Sequence, residues 1–224
     1  MTTKTQGNTS ASTGEHAVKT TASIFGVYAG LLGIEHGFFE TLQGNVAPKG
    51  LKIMAVSPFE LPFPFGHEPA MTLIPNFLVT GIAAESVGLA IVVWSAAWVD
   101  KRYGAGVLIL LSALLLLVGG GFGPISLLIV ACIAASRIDK SMTWRRRLLP
   151  SGLRIVLALL WRWFLIGSIL YVPFEFVLGQ KLHLQNDHRQ VLTNLNLMFT
   201  YPMLVLFALT LVAAFARKID WREE

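Results

Sequence analysis

The stretch YGAGVLILLSALLLLVGGGFGPISLLIVACIAASR, residues 103–137, carries no charge before its final arginine. As one helix it would rise about 50 Å, too long for a single crossing of ~30 Å of hydrocarbon. GGGFGP, residues 119–124, supplies the break. The stretch therefore reads as two short helices, 103–119 and 122–136, joined by a tight turn. A re-entrant or broken element is the alternative.

The rest of the chain reads in the same way. Hydrophobic residues make up 54% of the 224 positions and charged residues 14%, too little charge for a soluble domain and enough apolar length for several membrane spans. Four further apolar segments lie at 21–42, 71–99, 155–179 and 197–216. The expected fold is all-α: an integral membrane bundle of six transmembrane helices with both termini cytoplasmic. The polar residues 1–20 read as a disordered tail and 217–224 as a second cytoplasmic tail. The first apolar run lacks a small-residue cleavage site and reads as an uncleaved span.

Charge orients the bundle. With the N-terminus inside, the inner segments hold thirteen of the Lys and Arg residues, including Lys19, Lys101, Arg102, Arg137, Arg217 and Lys218. The outer connections hold four, Lys49, Lys52, Lys181 and Arg189, while Arg162 falls within a span. This asymmetry satisfies the positive-inside rule and demands an even number of spans. Trp94, Trp98 and Tyr103 form an aromatic belt at the inner face, with Trp144 in the inner loop 137–154. The adjoining Arg145, Arg146 and Arg147 are a topology signal and candidate contacts for anionic lipid headgroups. With the net charge of +5 explained by topology, no compact basic domain remains to bind nucleic acid. The single cysteine, Cys132, excludes a disulfide framework and reads as a small apolar filler.

Ionisable groups inside apolar spans are the candidate functional residues. GIEHGFFETLQG, residues 33–44, places Glu35, His36 and Glu40 at the outer end of the first helix. At about 100° per residue, Gly26, Gly30, Gly33 and Gly37 share one stripe that admits close helix packing. His36 and Glu40 form an i,i+4 pair beside that stripe, and Glu35 points roughly opposite. His67 and Glu68 precede the second helix on the same side, and Glu175 reaches a similar outer level on the fifth. A divalent transition metal held by His36, Glu40, His67 and Glu68 is one expectation; a hydrogen-bonded staple between the outer loop 43–70 and the bundle is the other. Deeper, Glu85 shares a face with Gly81 and Gly88, at about 21 Å down a helix begun at residue 71. Arg162, on the fifth helix, lies at a matching depth and is its expected ion-pair partner, unless it snorkels to the inner headgroups. A second outer connection, 180–196, carries His183, Asp187 and His188. FETLQG at 39–44 echoes FEFVLGQ at 174–180, which would make Glu40 and Glu175 pseudo-symmetric.

The strings IEHGFFETLQGNVAP, EPAMTLIPNFLVTG and LLLLVGGGFGP resemble those of an uncharacterised family of multi-pass bacterial and archaeal membrane proteins. The resemblance spans residues 26–138 and implies a prokaryotic cytoplasmic membrane; it supplies no activity, cofactor or catalytic residue. No Walker loop, Rossmann fingerprint, nucleophile elbow or zincin motif occurs. The leading expectation is a small transporter or transport subunit for a proton, ion or small polar solute, its pathway using His36, Glu40, Glu85, Arg162 and Glu175. Tyr28, Ser168, Tyr171 and Thr200 are candidate lining residues. The rivals are an accessory subunit docking through its glycine face, as a homo- or hetero-oligomer, and an integral membrane enzyme with a His/Glu metal or acid–base site acting on a lipid or quinone-like substrate.

Overall fold

The computed structural model describes residues 6–54, 69–140, 150–185 and 189–220. These form α1 (Gln6–Thr41), β1 (Lys52–Met54), β2 (Pro69–Met71), α2 (Phe77–Ala97), α3 (Gly104–Leu117), α4 (Phe122–Ala135), α5 (Ser151–Gln185) and α6 (Arg189–Asp220). The molecule is a helical bundle, with β1 and β2 paired as a small antiparallel ribbon. Helix α1 is its centre and packs on α2, α4 and α6; α5 packs chiefly on α6.

Four segments are long and apolar enough to cross a membrane: Glu15–Thr41, Phe77–Ala97, Ser151–Phe174 and Tyr201–Ile219. Their outer faces stay apolar where a soluble protein would place charge, with Leu159 68% and Trp163 70% exposed. Helices α3 and α4 have 14 residues each. At about 1.5 Å per residue each covers about 21 Å, short of a full hydrocarbon thickness.

The α1–α2 contact is an antiparallel glycine crossing. A Cβ on Gly30 would lie 2.7 Å from the Gly88 carbonyl oxygen, and one on Gly88 would lie 2.8 Å from that of Gly30. Gly37 and Gly81 repeat the arrangement at 2.6 and 2.5 Å. Both pairs are seven residues apart on each helix, two turns, so the same faces meet twice. Glycine at all four positions lets the backbones touch, which larger side chains forbid. Gly26 abuts Ser95, and Gly33 takes the Leu115 side chain.

Several element boundaries differ from expectation for identifiable reasons. The polar N-terminal stretch is helical from Gln6, and Ala17 and Val18 are fully buried in the same core as Ala213, Ala214 and Ala216 of α6. Burial of Ala17 and Val18 in that core offsets the poor intrinsic propensity of the sequence before them. Helix α2 begins at Phe77 rather than residue 71, because Asn76 caps it, its side chain accepting from the Val79 N–H at 3.1 Å. The first N–H groups of α2 find partners in the turn after α1: Phe77 donates to Val46 O (2.9 Å) and Leu78 to Gly44 O (3.0 Å). Residues 69–71 enter β2 instead. Helices α5 and α6 continue through most of the expected outer connection, which shortens it to a few residues.

Candidate functional site

The i,i+4 pair at the outer end of α1 meets the turn between α3 and α4. Gly119 and Gly121 there have φ of +96° and +76°, conformations that side-chain-bearing residues seldom adopt. Space gives a second reason for glycine. A Cβ on Gly119 would lie 2.5 Å from both carboxylate oxygens of Glu40, and one on Gly121 would lie 2.5 Å from His36 Nε2. GGGFGP is therefore more than a helix break: two of its glycines cradle two ionisable side chains of α1, His36 and Glu40.

That cradle is closed. Glu40 is fully buried and His36 nearly so, at 7% exposure. Among the described residues, neither carboxylate oxygen of Glu40 has a hydrogen-bond partner, nor does the buried Gln43 Nε2. Buried polar atoms are ordinarily satisfied, which sets the Glu40 carboxylate apart from most other buried polar groups of the bundle.

Hydrogen bonds fix the surrounding wall. Leu73 N–H donates to Leu117 O at 2.9 Å, and Thr72 bridges to Val118. The Thr80 hydroxyl lies 3.1 Å from Val118 O, as donor, and makes a short contact with the Thr72 hydroxyl. Thr72 N–H donates to Leu51 O at 2.9 Å, which ties the segment before the loop to the one that holds the glycine turn. Sequence reasoning missed Thr72, Thr80 and Gln43. Two threonines eight residues apart, straddling the Pro75–Asn76 helix start, were the available signal.

The other candidates separate from this pair. Glu35 is exposed on the opposite side of α1, as its angular position requires. Glu85 is half-buried, its Cγ 2.9 Å from where a Gly37 Cβ would stand, so it lines the α1–α2 crossing. Because α2 starts at Phe77, Glu85 lies about 12 Å from the N-terminal end of that helix, in its N-terminal half, which corrects the deep position expected from a start at residue 71. The expected ion pair with Arg162 does not form among the described residues. Arg162 is exposed on α5, which packs chiefly on α6, while Glu85 faces α1. Ser168 is tied to Thr210 of α6 by a 2.8 Å hydroxyl contact and donates to Phe164 O.

His67, Glu68, Trp144, Arg145, Arg146, Arg147, Asp187 and His188 lie outside the described residues, as do the side chains of Glu175 and His183. Among the described residues no three His, Cys, Asp or Glu side chains converge as metal ligands. His36 and Glu40 thus supply two donors, one nitrogen and one carboxylate, and a metal site would need the rest from the outer loop.

The opposite end of the bundle is basic and tightly bonded. Lys19 of α1 pairs with Asp100, just past α2, at 2.6 Å. This hydrogen bond, with the Lys19 and Lys101 charges, holds the Asp100 carboxyl below the usual carboxylate range. Lys218 of α6 is buried and donates to Arg137 O at 2.7 Å and to Ile138 O, capping the end of α4. Trp161 Nε1 donates to Thr21 Oγ1 at 3.0 Å. Comparison with family models, curated proteins and solved structures returns no match to this chain.

Proposed function

We propose that this chain is a small multi-pass membrane transporter, or a transport subunit, for a proton or small cation that engages His36 and Glu40 at the outer mouth. The carrying observation is the fully buried Glu40 carboxylate, both of whose oxygens lack a hydrogen-bond partner among the described residues. An enclosed acid not committed to a structural bond keeps its capacity to take up a proton or cation, and intramembrane acids commonly mark such pathways. Glu85, at the α1–α2 crossing, is the next acid inward from the pair. The Glu85–Arg162 gate is not part of this reading.

In the same proposal the bundle has six spans, α3 and α4 forming a short pair, with both termini on the cytoplasmic side of a prokaryotic cell membrane. Charge asymmetry supports that orientation, and the resemblance of residues 26–138 to multi-pass prokaryotic proteins supports the setting. The rival of an accessory subunit docking through its glycine face loses that surface, since Gly30 and Gly37 are covered by Gly88 and Gly81. The enzyme rival rests on His36 and Glu40 alone among the described residues.

Purified protein in liposomes loaded with a pH-sensitive dye tests the reading under a potassium diffusion potential set with valinomycin. Wild-type protein should pass protons, or sodium when sodium is the imposed gradient. Glu40→Gln, which keeps the side-chain shape, should return flux to that of empty vesicles. Equal flux through wild type and Glu40→Gln, or none through wild type for either ion, sinks the proposal. Metal analysis of wild type and His36→Ala, with zinc, iron, manganese and copper supplied during growth, tests the enzyme rival separately.

A further inference from the structure

At the basic end of the bundle, Arg162 stands on a face that does not suit a charge. It is exposed, and its neighbours on that face of α5, Leu159, Trp163 and Ile166, are exposed too. No ion pair holds it among the described residues. Arg217 of α6 reaches α5 one turn before it, at Ala158. Arg217 cannot easily swing away: it donates to Ala158 O at 3.1 Å and lies over the Trp161 ring, 5.5 Å from its centroid. The exposed Arg162 guanidinium stands beside an apolar surface with the Arg217 guanidinium held one turn away, an arrangement whose planar donor forks suit an anion.

Height along the bundle identifies the kind of anion. Trp161 bonds Thr21, and two residues before Thr21 the Lys19 ammonium pairs with Asp100 beyond the end of α2. Arg162 is thus just above the charged layer that closes this end. Helix α5 runs away from that layer, and helical side chains lean towards their own N-terminus, so the Arg162 side chain leans back to the layer. A small aqueous anion would leave Leu159 and Trp163 bare. A molecule with an anionic head and apolar chains satisfies both surfaces.

We propose that Arg162 and Arg217 bind the phosphate of an anionic phospholipid, whose acyl chains lie along Leu159, Trp163 and Ile166. The site rests on α5 being embedded in a bilayer and is independent of any transport through Glu40. It is made by residues other than Arg145, Arg146 and Arg147, the candidate lipid contacts of the 137–154 loop.

The test uses the full chain in a neutral detergent and follows thermal unfolding as lipid is added. Phosphatidylglycerol should raise the midpoint, phosphatidylcholine should do so far less, and inorganic phosphate should leave it unchanged. Arg162→Gln should lose most of the phosphatidylglycerol increment while unfolding like wild type without lipid. Arg162→Lys should keep part of it, because the charge remains and the fork is lost. An undiminished increment in Arg162→Gln overturns the site, as does an equal effect of inorganic phosphate. So does loss of the increment only when Arg145, Arg146 and Arg147 are all changed to Gln. If Arg162→Gln does not fold, native mass spectrometry of the wild-type protein decides: preferential retention of phosphatidylglycerol supports the site, and equal retention of both lipids overturns it.

Discussion

Gly121 shows how one residue can serve conformation and chemistry together. Its φ of +76° strains any substituted side chain, and a Cβ there would press on His36 Nε2 at 2.5 Å. Gly121→Ala should therefore cost about 1–3 kcal/mol in thermal unfolding and displace His36 from its cradle. Gly106, in α3 with open space around it, is the control. Gly106→Ala should stabilise by roughly 0.5–1 kcal/mol, since alanine loses less backbone entropy in a helix. Equal effects of the two changes would refute the cradle. Asp100 supplies a pH signature. Its carboxyl is held low chiefly by the Lys19 hydrogen bond, so the pair stabilises at pH above the ordinary carboxylate value of about 3.9. That stabilisation is lost as pH falls through the lower folded value. Both side chains are partly exposed, so the pair contributes at most about 1 kcal/mol. The stability gap between wild type and Asp100→Asn should be flat near neutrality, close as pH drops below about 4, and narrow with added salt.

At the scale of elements, the glycine crossing is the most sensitive joint. A Cβ on Gly37 would stand 2.6 Å from the Gly81 carbonyl oxygen, backbone that cannot rotate aside. Gly37→Ala should therefore force α1 and α2 apart and destabilise by about 1–3 kcal/mol, read by thermal unfolding; an unchanged midpoint would mean the helices do not touch there. Both glycine faces were legible in the sequence, one on each helix, because angular spacing alone defines a stripe. That they are a single interface was also written there, in the equal seven-residue spacing of Gly30–Gly37 and Gly81–Gly88. The start of α2 was legible too: Pro75–Asn76 is a helix-start pair, outweighed by the apolar residues before it. The burial of Ala17 and Val18 was not, since it depends on a core assembled from residues distant in the chain. The i,i+4 pairing of His36 and Glu40 followed from helix geometry. Their enclosure by Gly119 and Gly121 needed the α3–α4 turn to come back over α1, which no local pattern encodes. Arg162 was misplaced for the same reason: depth can be counted along a helix, but the face it turns to a neighbour depends on which neighbour packs there.

For the whole molecule, three contacts put the chain's basic segments at one end. Lys19 reaches Asp100, Lys218 reaches Arg137 and Ile138, and Trp161 reaches Thr21. The part of α1 around Lys19 and Thr21, the α2–α3 turn, the end of α4, the part of α5 around Trp161 and the end of α6, whose Arg217 bonds Ala158 O, therefore share a level. The turn at Gly44 and the β1–β2 ribbon close the opposite end, where Lys49 and Lys52 lie. Under the proposed six-span arrangement, which returns to the same end after α2, α4 and α6, the number of crossings is even. Since basic residues are retained on the cytoplasmic side, that end should face the cytoplasm. The single cysteine makes the test clean. With Cys132→Ala as background, Lys49→Cys should react with a membrane-impermeant maleimide in intact cells, whereas Lys101→Cys and Ser151→Cys should react only after permeabilisation. Labelling of Lys101→Cys in intact cells would invert the bundle. Labelling of Lys101→Cys and Ser151→Cys on opposite sides would break the even count, because the α3–α4 hairpin between them would then make one crossing instead of returning to its starting side.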